Sequence, residues 1–244
     1  MLDLSQIALF FICALTSAFT ASVGVGGGVI LLAILPNFLA PAIVIPIHGA
    51  TQLMSNVSRF VFDWRMVRWD LVKPYLPGAL LGGLVGFYFL DVFQFDYLPL
   101  ILAVFILLCT WTDLVVRLGV VLGNMFLLGG VQTFLSLFVG AIGLIVPPIL
   151  FKKGLNKDAV IATQSVFMSG MHGFKVAAYV AAGFAFREHW VVMVLMLAGS
   201  SFGSYIGQRW RNKIPEQAGI RVMKWLITAL ALQLIVSFVL SFRV

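Results

Sequence analysis

Two cations, Arg59 and Lys175, stand inside long apolar stretches of the chain. An ionisable side chain within a membrane-length segment is costly to bury and is usually functional. Asn56 comes three residues before Arg59, and His172 comes three residues before Lys175, so each polar residue shares a helix face with a cation. This combination favours the binding of an anion. We therefore predict substrate contacts at Asn56, Arg59, His172 and Lys175.

Alternative roles stay open for some of these residues. Arg59 lies about one turn from the end of its segment, so its long side chain would also reach the cytoplasmic membrane surface. His172 would serve as a ligand, as a proton carrier or as a structural side chain. His48 is a weaker candidate than His172. His189 is weaker as well, because it falls in a predicted external loop.

The tripeptide Ala-Thr-Gln occurs twice, at 50–52 and at 162–164. Its amide and hydroxyl groups, those of Thr51 and Thr163 included, would hydrogen-bond either an oxyanion or a neighbouring helix. We predict Gln52 and Gln164 as substrate contacts.

Two glycine turns interrupt the apolar sequence, at 24–28 (Gly-Val-Gly-Gly-Gly) and at 140–143 (Gly-Ala-Ile-Gly). Each precedes an apolar segment too short to span a bilayer, 28–36 and 144–151. Irregular backbone at membrane depth occurs where it is buried or lines a cavity. A helix that starts there points free N–H groups at the cavity, which favours an anion. The predicted contacts are Gly24, Gly26, Gly27, Gly28, Gly140 and Gly143; the alternative is that the glycines serve only packing or a kink.

Other kinds of site find no support in the residue pattern. No pair of histidines has metal-ligand spacing, no serine–histidine–acid arrangement is apparent, and no Gly-Lys-Ser/Thr follows the glycine turns. The sequence predicts no catalytic residues, no metal and no cofactor. No acidic residue falls near the predicted midplane either, so a carboxylate proton relay has no obvious carrier.

The elements that position these residues are apolar segments. Hydrophobic residues make up 61% of the 244 and charged residues 10%, with a mean hydropathy of +1.07. Soluble domains usually carry about 25% charged residues, so this composition predicts an integral membrane protein. The net charge of +7 comes from clusters between apolar runs, as in cytoplasmic loops, and predicts no nucleic-acid partner. The first segment lacks a basic start and is expected to stay in the protein rather than act as a signal peptide.

The chain shows an internal duplication. The apolar segments are 4–23, 28–36, 41–63, 71–90 and 97–116, followed by 119–139, 144–151, 158–185, 188–208 and 221–242. The glycine turns and the two cations recur 116 residues apart, the tripeptides 112 apart, and a glycine stripe at 78, 82 and 86 recurs 121 residues later. We predict two repeats, 1–117 and 118–244, in one integral membrane domain. The stripes are predicted to let helices pack closely.

The charges predict the topology. If each repeat is a glycine-hinged re-entrant helical hairpin followed by three transmembrane helices, the second repeat is inverted relative to the first. One side then receives Arg65, Arg68, Lys73, Arg117, Lys152, Lys153, Lys157, Arg209, Arg211, Lys213, Arg221 and Lys224. The other side receives Asp3, Asp91, Asp96, Arg187, Glu188 and Arg243. The positive-inside bias predicts an all-α polytopic protein with both termini outside.

The glycine turns and stripes together resemble the TauE/SafE sulfite exporter family over essentially the whole chain. Gly24 to Gly28 match the family's first turn, and Gly140, Gly143 and Pro147 match the second in part. Leu31 stands where the first proline is expected, and Ile142 where the second turn has glycine. The resemblance implies export of sulfite, thiosulfate or an organosulfonate across the inner membrane.

The sequence leaves several functions open. A secondary carrier and an anion channel both need a cationic site, and a sulfonate importer would have the same architecture. A membrane enzyme would need a nucleophile–base pair or a metal cluster, and a purely structural subunit would leave the intramembrane cations unused. The predicted partners are a small inorganic or organic sulfur anion and the lipid bilayer, and a homo-oligomer is one arrangement that the sequence allows.

Overall fold

A computed structural model of the chain describes residues 3–90, 97–112, 117, 123–139, 142–211, 213 and 216–241. These residues form helices and connecting turns, without a strand among them. The α-helices are α1 (Leu4–Val23), α2 (Gly27–Ile34), α3 (Pro41–Asp63), α4 (Trp69–Tyr88), α5 (Leu98–Trp111), α6 (Met125–Val139), α7 (Val146–Lys152), α8 (Lys157–Ala181), α9 (Trp190–Trp210) and α10 (Glu216–Ser241). Short 3₁₀ turns cover Leu35–Asn37, Trp64–Met66, Gly143–Ile145 and Phe186–His189.

Local sequence explains where several helices begin. The Asn156 side chain accepts a hydrogen bond from the Ala159 N–H and caps α8. Pro41 opens α3, where its missing N–H has no helical partner to lose. Asp3 precedes α1, and its backbone N–H donates to the Gln6 side chain. These signals lie at the ends of the apolar segments, so hydropathy and capping select the same boundaries.

The helices fit a membrane protein, as the composition predicts. Three of them are long and apolar enough to cross a bilayer, over Leu4–Val23, Phe186–Trp210 and Gln217–Leu240. The predicted crossing at 97–116 forms a helix of 14 residues, α5, which extends about 21 Å. It begins beside Pro99 and ends before Thr112, so it is shorter than the roughly 20 residues that a perpendicular crossing needs.

The glycine stripes pack helices in pairs. Gly199, Gly203 and Gly207 of α9 lie against the backbone carbonyls of Phe10, Ala14 and Ala18 in α1, and a methyl group at any of the three would overlap its carbonyl. In α4, Gly78 and Gly82 lie in the same way against the Phe126 and Gly130 carbonyls of α6, and Gly86 faces Phe134 and Leu137. Residue numbers rise together in both pairs, so the paired helices run parallel. The predicted packing role of the stripes is confirmed.

Helices α3 and α8 cross the centre of the bundle in opposite directions. Gly49 of α3 contacts Lys175 of α8, and Leu53 contacts Gly173. Both helices are largely buried, and polar side chains make up much of what they bury. At the periphery, α5 packs on α10 through the rings of Trp111 and Trp225. The polar central pair is therefore enclosed by apolar neighbours.

One end of the bundle is held by an ion cluster around the buried Arg211, in which Asp63 is largely buried and Asp158 about half exposed. Its guanidinium contacts Asp63 at 2.6 Å and Asp158 at 3.1 Å, and its Nε donates to the Ala21 carbonyl at 3.0 Å. Lys157 donates to the Arg211 carbonyl. The cluster thus joins the last residues of α1, α3 and α9 to the start of α8. The loops that follow α3 and α9 and precede α8 carry the cations that the sequence assigns to one side.

Candidate functional site

A cavity lies between the two glycine turns and the central helices. It offers about 40 Å³ of space to the centre of a water molecule. A single water needs about 10–15 Å³ in this measure, so the cavity holds a few waters or one small ion. Its lining comes from α1, α2, α3 and α8 and from the second turn: Thr20, Val25, Gly26, Gly28, Val29, His48, Gln52, Asn56, Arg59, Ile142, Gly143, Leu144, Gln164, Met168 and His172.

The polar lining on α3 is a stripe at helical spacing. His48, Gln52, Asn56 and Arg59 succeed one another at intervals of four, four and three residues, so they share one face. All four are buried. Proline at 46 precedes the stripe, and the other residues of this turn are apolar. The helix therefore presents one polar face to the cavity, while side chains on its outer side, such as Met54 and Val61, are exposed.

Helix α8 presents a second stripe at the same intervals. Gln164, Met168 and His172 line the cavity, and Lys175 is the next member of the series. Every member follows its α3 counterpart by 116 residues, which pairs His48 with Gln164 and Arg59 with Lys175. Lys175 itself is fully buried beyond the lining, with its side chain against Gly49.

The first glycine turn joins α1 to α2 and forms one wall of the cavity. Gly24 and Gly26 adopt φ values of 104° and 103°, a left-handed conformation that side chains disfavour. Gly24 closes α1 with a hydrogen bond to the Thr20 carbonyl, and Gly26 starts α2 without a side-chain cap. The first N–H groups of α2 consequently have no helical or capping side-chain partner. Gly26 and Gly28 line the cavity, and this end of α2 favours negative charge.

The second turn differs from the first, although the sequence predicts free helix N–H groups after both. Gly143 lines the cavity, but its carbonyl accepts a hydrogen bond from Gln164, and a 3₁₀ turn precedes α7. Pro147 and Pro148 occupy the first turn of α7, where they have no N–H to donate. The Ile142 carbonyl is held by the Gln132 amide. This turn therefore offers fixed carbonyls rather than a row of free helix N–H groups.

Arg59 brings a fixed positive charge to the cavity. Its side chain is 3% exposed, so the alternative that it extends to the membrane surface is wrong. The guanidinium donates to the Ser55 hydroxyl at 2.9 Å and to the side-chain amide oxygen Oδ1 of Asn56 at 2.7 Å, and both partners are neutral. Among the described residues no carboxylate lies within ion-pair distance of it. A buried cation without a carboxylate at ion-pair distance favours an anionic ligand.

Two imidazoles of the cavity lining contact each other. The rings of His48 and His172 lie 5.8 Å apart, nearly edge to face. His48 Nε2 lies 2.9 Å from the Gly28 carbonyl, while Nδ1 of each ring and Gln164 Oε1 are buried without a hydrogen-bond partner. Native interiors rarely leave such atoms unpaired, so they indicate a place for water or a ligand.

A comparison with protein families settles the family of this chain. The model of the family described as sulfite exporter TauE/SafE matches residues 9–234, nearly the whole sequence. The chain belongs to the TauE/SafE family. It is therefore a membrane transport protein of a family named for sulfite export, as the resemblance implies. No curated protein and no solved structure matches the chain.

The TauE/SafE structure brings most of the predicted contacts together. Those that line the cavity are Gly26, Gly28, Gln52, Asn56, Arg59, Gly143, Gln164 and His172. Gly24 and Gly27 lie behind the wall, where Gly24 faces Ile161 and Gly27 packs on the α1 backbone. Gly140 lies outside the described residues. Thr51 donates to its own helix, and Thr163 accepts from the Arg68 N–H, so neither hydroxyl reaches the cavity.

The cavity is also lined by His48, which the sequence indicates only as a weak candidate, and by Thr20 and Met168, which it does not predict. His48 stands one helical turn before Gln52, so its spacing alone places it on the stripe that carries Asn56 and Arg59. Met168 occupies the position of α8 that corresponds to Gln52. Thr20 shows no such signal, since only the fold of α1 against α2 brings it to the cavity.

Proposed function

We propose that this TauE/SafE protein is a secondary carrier that exports a small sulfur oxyanion through the central cavity. One observation carries the proposal: Arg59 is buried in the cavity wall with hydrogen bonds to neutral partners alone among the described residues. Sulfite, thiosulfate and organosulfonates offer the negative charge and the acceptor oxygens that a guanidinium binds well. The free N–H groups at the start of α2 and the amide of Gln52 complete a set of donors.

Paired packing supports the proposed inverted repeats, 1–117 and 118–244. Helix α1 of the first repeat packs on α9 of the second, and α4 of the first packs on α6 of the second. The glycine stripes meet Phe10, Ala14 and Ala18 in α1 and Phe126, Gly130 and Phe134 in α6, and the second set follows the first by the same 116 residues that relate the central stripes. Alternating access would then arise from one repeat rocking against the other around a fixed site.

The charges support an orientation in which the Arg211 end of the bundle faces the cytoplasm. Lys152, Lys153, Lys157, Arg65 and Arg209 follow or precede helix ends at this side. Positive residues in short loops favour the cytoplasmic side of a bacterial-type inner membrane. In this orientation both chain termini lie outside, and each glycine-hinged hairpin enters and leaves on one side.

Lys175 is proposed to add positive potential rather than a direct contact. It follows His172 on the α8 stripe and packs against Gly49, one residue beyond His48. Interactions between charges are stronger in a medium of low dielectric constant, so a cation behind the wall still favours an anion inside.

The membrane potential is sufficient to drive export of a monovalent anion. A single negative charge that leaves a negative interior gains about 2.3 kcal/mol per 100 mV. No acidic side chain lines the cavity among the described residues, so coupling to a cation through a carboxylate is not part of the proposal.

Thermal stabilisation and flux measurements test this function together. The purified protein is melted with sulfite, thiosulfate, sulfoacetate, sulfate or chloride, because a ligand of the folded state raises apparent stability by mass action. We expect a selective shift from a sulfur oxyanion and saturable flux of the same anion from vesicles. Counterflow by unlabelled substrate indicates a carrier, and its absence with very high flux indicates a channel. Inward accumulation against the potential would point to a sulfonate importer, and no shift and no flux would refute the proposal.

A further inference from the structure

Hydrogen-bond donors and acceptors in the cavity restrict the form of the anion. We propose that the site selects an oxyanion that still carries one hydroxyl hydrogen, such as hydrogensulfite, over a fully deprotonated dianion. Each transported anion would then take a proton with it. The inference rests on the anion-carrier function proposed above and adds a chemical class of substrate to it.

The Gly28 carbonyl determines the tautomer of His48. Its Nε2 lies 2.9 Å from the Gly28 carbonyl oxygen, which can only accept a hydrogen bond. Nε2 therefore carries the hydrogen. In the neutral imidazole, Nδ1 then has none and is an acceptor. This Nδ1 is buried without a hydrogen-bond partner in a residue that lines the cavity, so a ligand held there satisfies it only by donating a hydrogen bond.

Gln164 supplies a second acceptor by the same reasoning. Its Nε2 donates to the Gly143 carbonyl at 3.2 Å, which fixes the orientation of the amide, since a carbonyl cannot donate. Oε1 consequently faces the other way and is buried without a partner. His48 and Gln164 are also the pair related by 116 residues, so each repeat contributes one acceptor anchored to the carbonyl of its own glycine turn.

The charges around His48 favour its neutral form. His172 and Lys175 approach from α8, Arg59 lies on the same helix, and α2 offers only the Gly28 carbonyl. None of the described cavity residues is acidic. A second proton on His48 would place another buried positive charge close to Lys175, which is unfavourable without a counter-charge.

A ligand that forms hydrogen bonds with all of these groups needs both acceptor oxygens and a donor hydrogen. Arg59 and the α2 N–H groups bind oxygens that carry negative charge, while His48 Nδ1 and Gln164 Oε1 repel such oxygens. A hydroxyl on the anion turns one of these repulsive contacts into a hydrogen bond. Arg59 is also the one side chain of fixed charge among the described lining residues, so a monoanion matches the local charge better than a dianion.

Calorimetric titration of the purified full-length protein tests the selection. Sulfite is compared with methanesulfonate, a monoanion of similar shape that has no hydroxyl, over a pH range that spans the protonation of sulfite. We expect hydrogensulfite to bind at least roughly tenfold tighter, the effect of one satisfied buried acceptor. The Kd calculated on total sulfite should rise with pH as hydrogensulfite is lost, while that of methanesulfonate stays constant and thereby reports any titration of the protein.

The outcomes separate this inference from the carrier function. Equal affinity for methanesulfonate, or a total-sulfite Kd that is constant or falls with rising pH, would overturn the inference. If the dianions thiosulfate or sulfoacetate bind and hydrogensulfite does not, the carrier function stands and the hydroxyl selection is wrong. If no sulfur anion binds, both proposals fail.

A variant assigns the selection to one atom. Gln164→Met removes the acceptor at similar length, and we expect the preference for hydrogensulfite over methanesulfonate to fall toward one. Gln233→Met is the matched control, because Gln233 of α10 bonds Asn37 away from the cavity. An unchanged preference in a folded Gln164→Met protein would overturn the assignment. If that variant does not fold, the wild-type pH series alone decides.

Discussion

Arg59 and Arg211 are both buried arginines, with 3% and 5% of their surface exposed, yet their surroundings are opposite. Arg211 is compensated by two carboxylates and a backbone carbonyl from three other helices. Arg59 contacts neutral groups of its own helix, Ser55 and Asn56. The fold thus offsets the desolvation of Arg211 by ion pairing, whereas at Arg59 we propose that a bound anion does so. A buried cation identifies a binding site by its missing counter-charge rather than by its burial.

Loss of the Arg211 charge should have the largest effect on stability. Arg211→Met leaves Asp63 and Asp158 without their partner, and breaking a buried pair on one side costs about 3–5 kcal/mol. We expect a clearly lower melting temperature in detergent with and without anion. The triple variant Arg211→Met, Asp63→Asn, Asp158→Asn should recover part of the loss. A melting temperature equal to wild type in Arg211→Met would show that the cluster does not hold the helix ends.

Loss of the Arg59 charge should weaken anion binding without lowering stability. Arg59→Met removes a buried cation that has no acidic partner among the described residues, so we expect the ligand-free melting temperature to stay equal or rise. Binding of a sulfur oxyanion should weaken by roughly tenfold to a hundredfold, as for a lost charge-assisted hydrogen bond.

Arg59→Lys is the matched control, since it keeps the charge but loses the fork of donors. Titration calorimetry should place its affinity between wild type and Arg59→Met. Anion binding of wild-type strength in Arg59→Met would remove this residue from the site.

The glycine stripe is expected to give a smaller, purely structural effect. Gly203→Ala places a methyl group on the Ala14 carbonyl, so α1 and α9 must separate, and we expect overpacking to cost about 1–3 kcal/mol. Gly173→Ala is the control, because its nearest neighbour, Leu53, lies at an ordinary contact distance. Melting curves of the two variants should differ in this direction, and equal curves would show that close approach at Gly203 does not stabilise the pair.

The smallest effect on stability and on anion binding is expected from loss of the ion pair of Arg68, an exposed arginine. Arg68 forms a bidentate pair with Asp70, but both side chains are about half exposed to solvent or headgroups. Exposed pairs contribute little to stability, and salt screens them. Asp70→Asn should leave both the melting temperature and anion affinity unchanged. A clear loss in either would mean that exposure does not separate this arginine from Arg211.

Much of the fold follows from hydropathy, capping and small-residue spacing. The segments predicted around 4–23, 41–63 and 188–208 are helices with boundaries within a few residues, because apolar length and capping act locally. The stripe at Gly199, Gly203 and Gly207 indicated close packing without indicating the partner. Their partner, α1, is remote in sequence, and no local signal encodes which small-residue face meets which.

The candidate site was predicted in part. Helical spacing placed Asn56 and Arg59 on one face, and the structure keeps them together in the cavity wall. Lys175, chosen for its depth in a segment, packs behind that wall against Gly49. Depth within a helix follows from the sequence, but the direction in which a side chain meets its neighbours depends on how α3 and α8 cross.

The sequence by itself determined a membrane protein, its helical segments, the TauE/SafE family and the polar stripes, because hydropathy, periodicity and motif spacing are local properties of the chain. Only the tertiary structure decided that Arg211 forms ion pairs and that Arg59 forms none among the described residues, since the partners of Arg211 come from residues up to 190 positions away. It also decided that His48 Nδ1 and Gln164 Oε1 are buried without a hydrogen-bond partner. A buried polar atom is satisfied or unsatisfied by whatever the fold places opposite it, and no stretch of sequence contains that information.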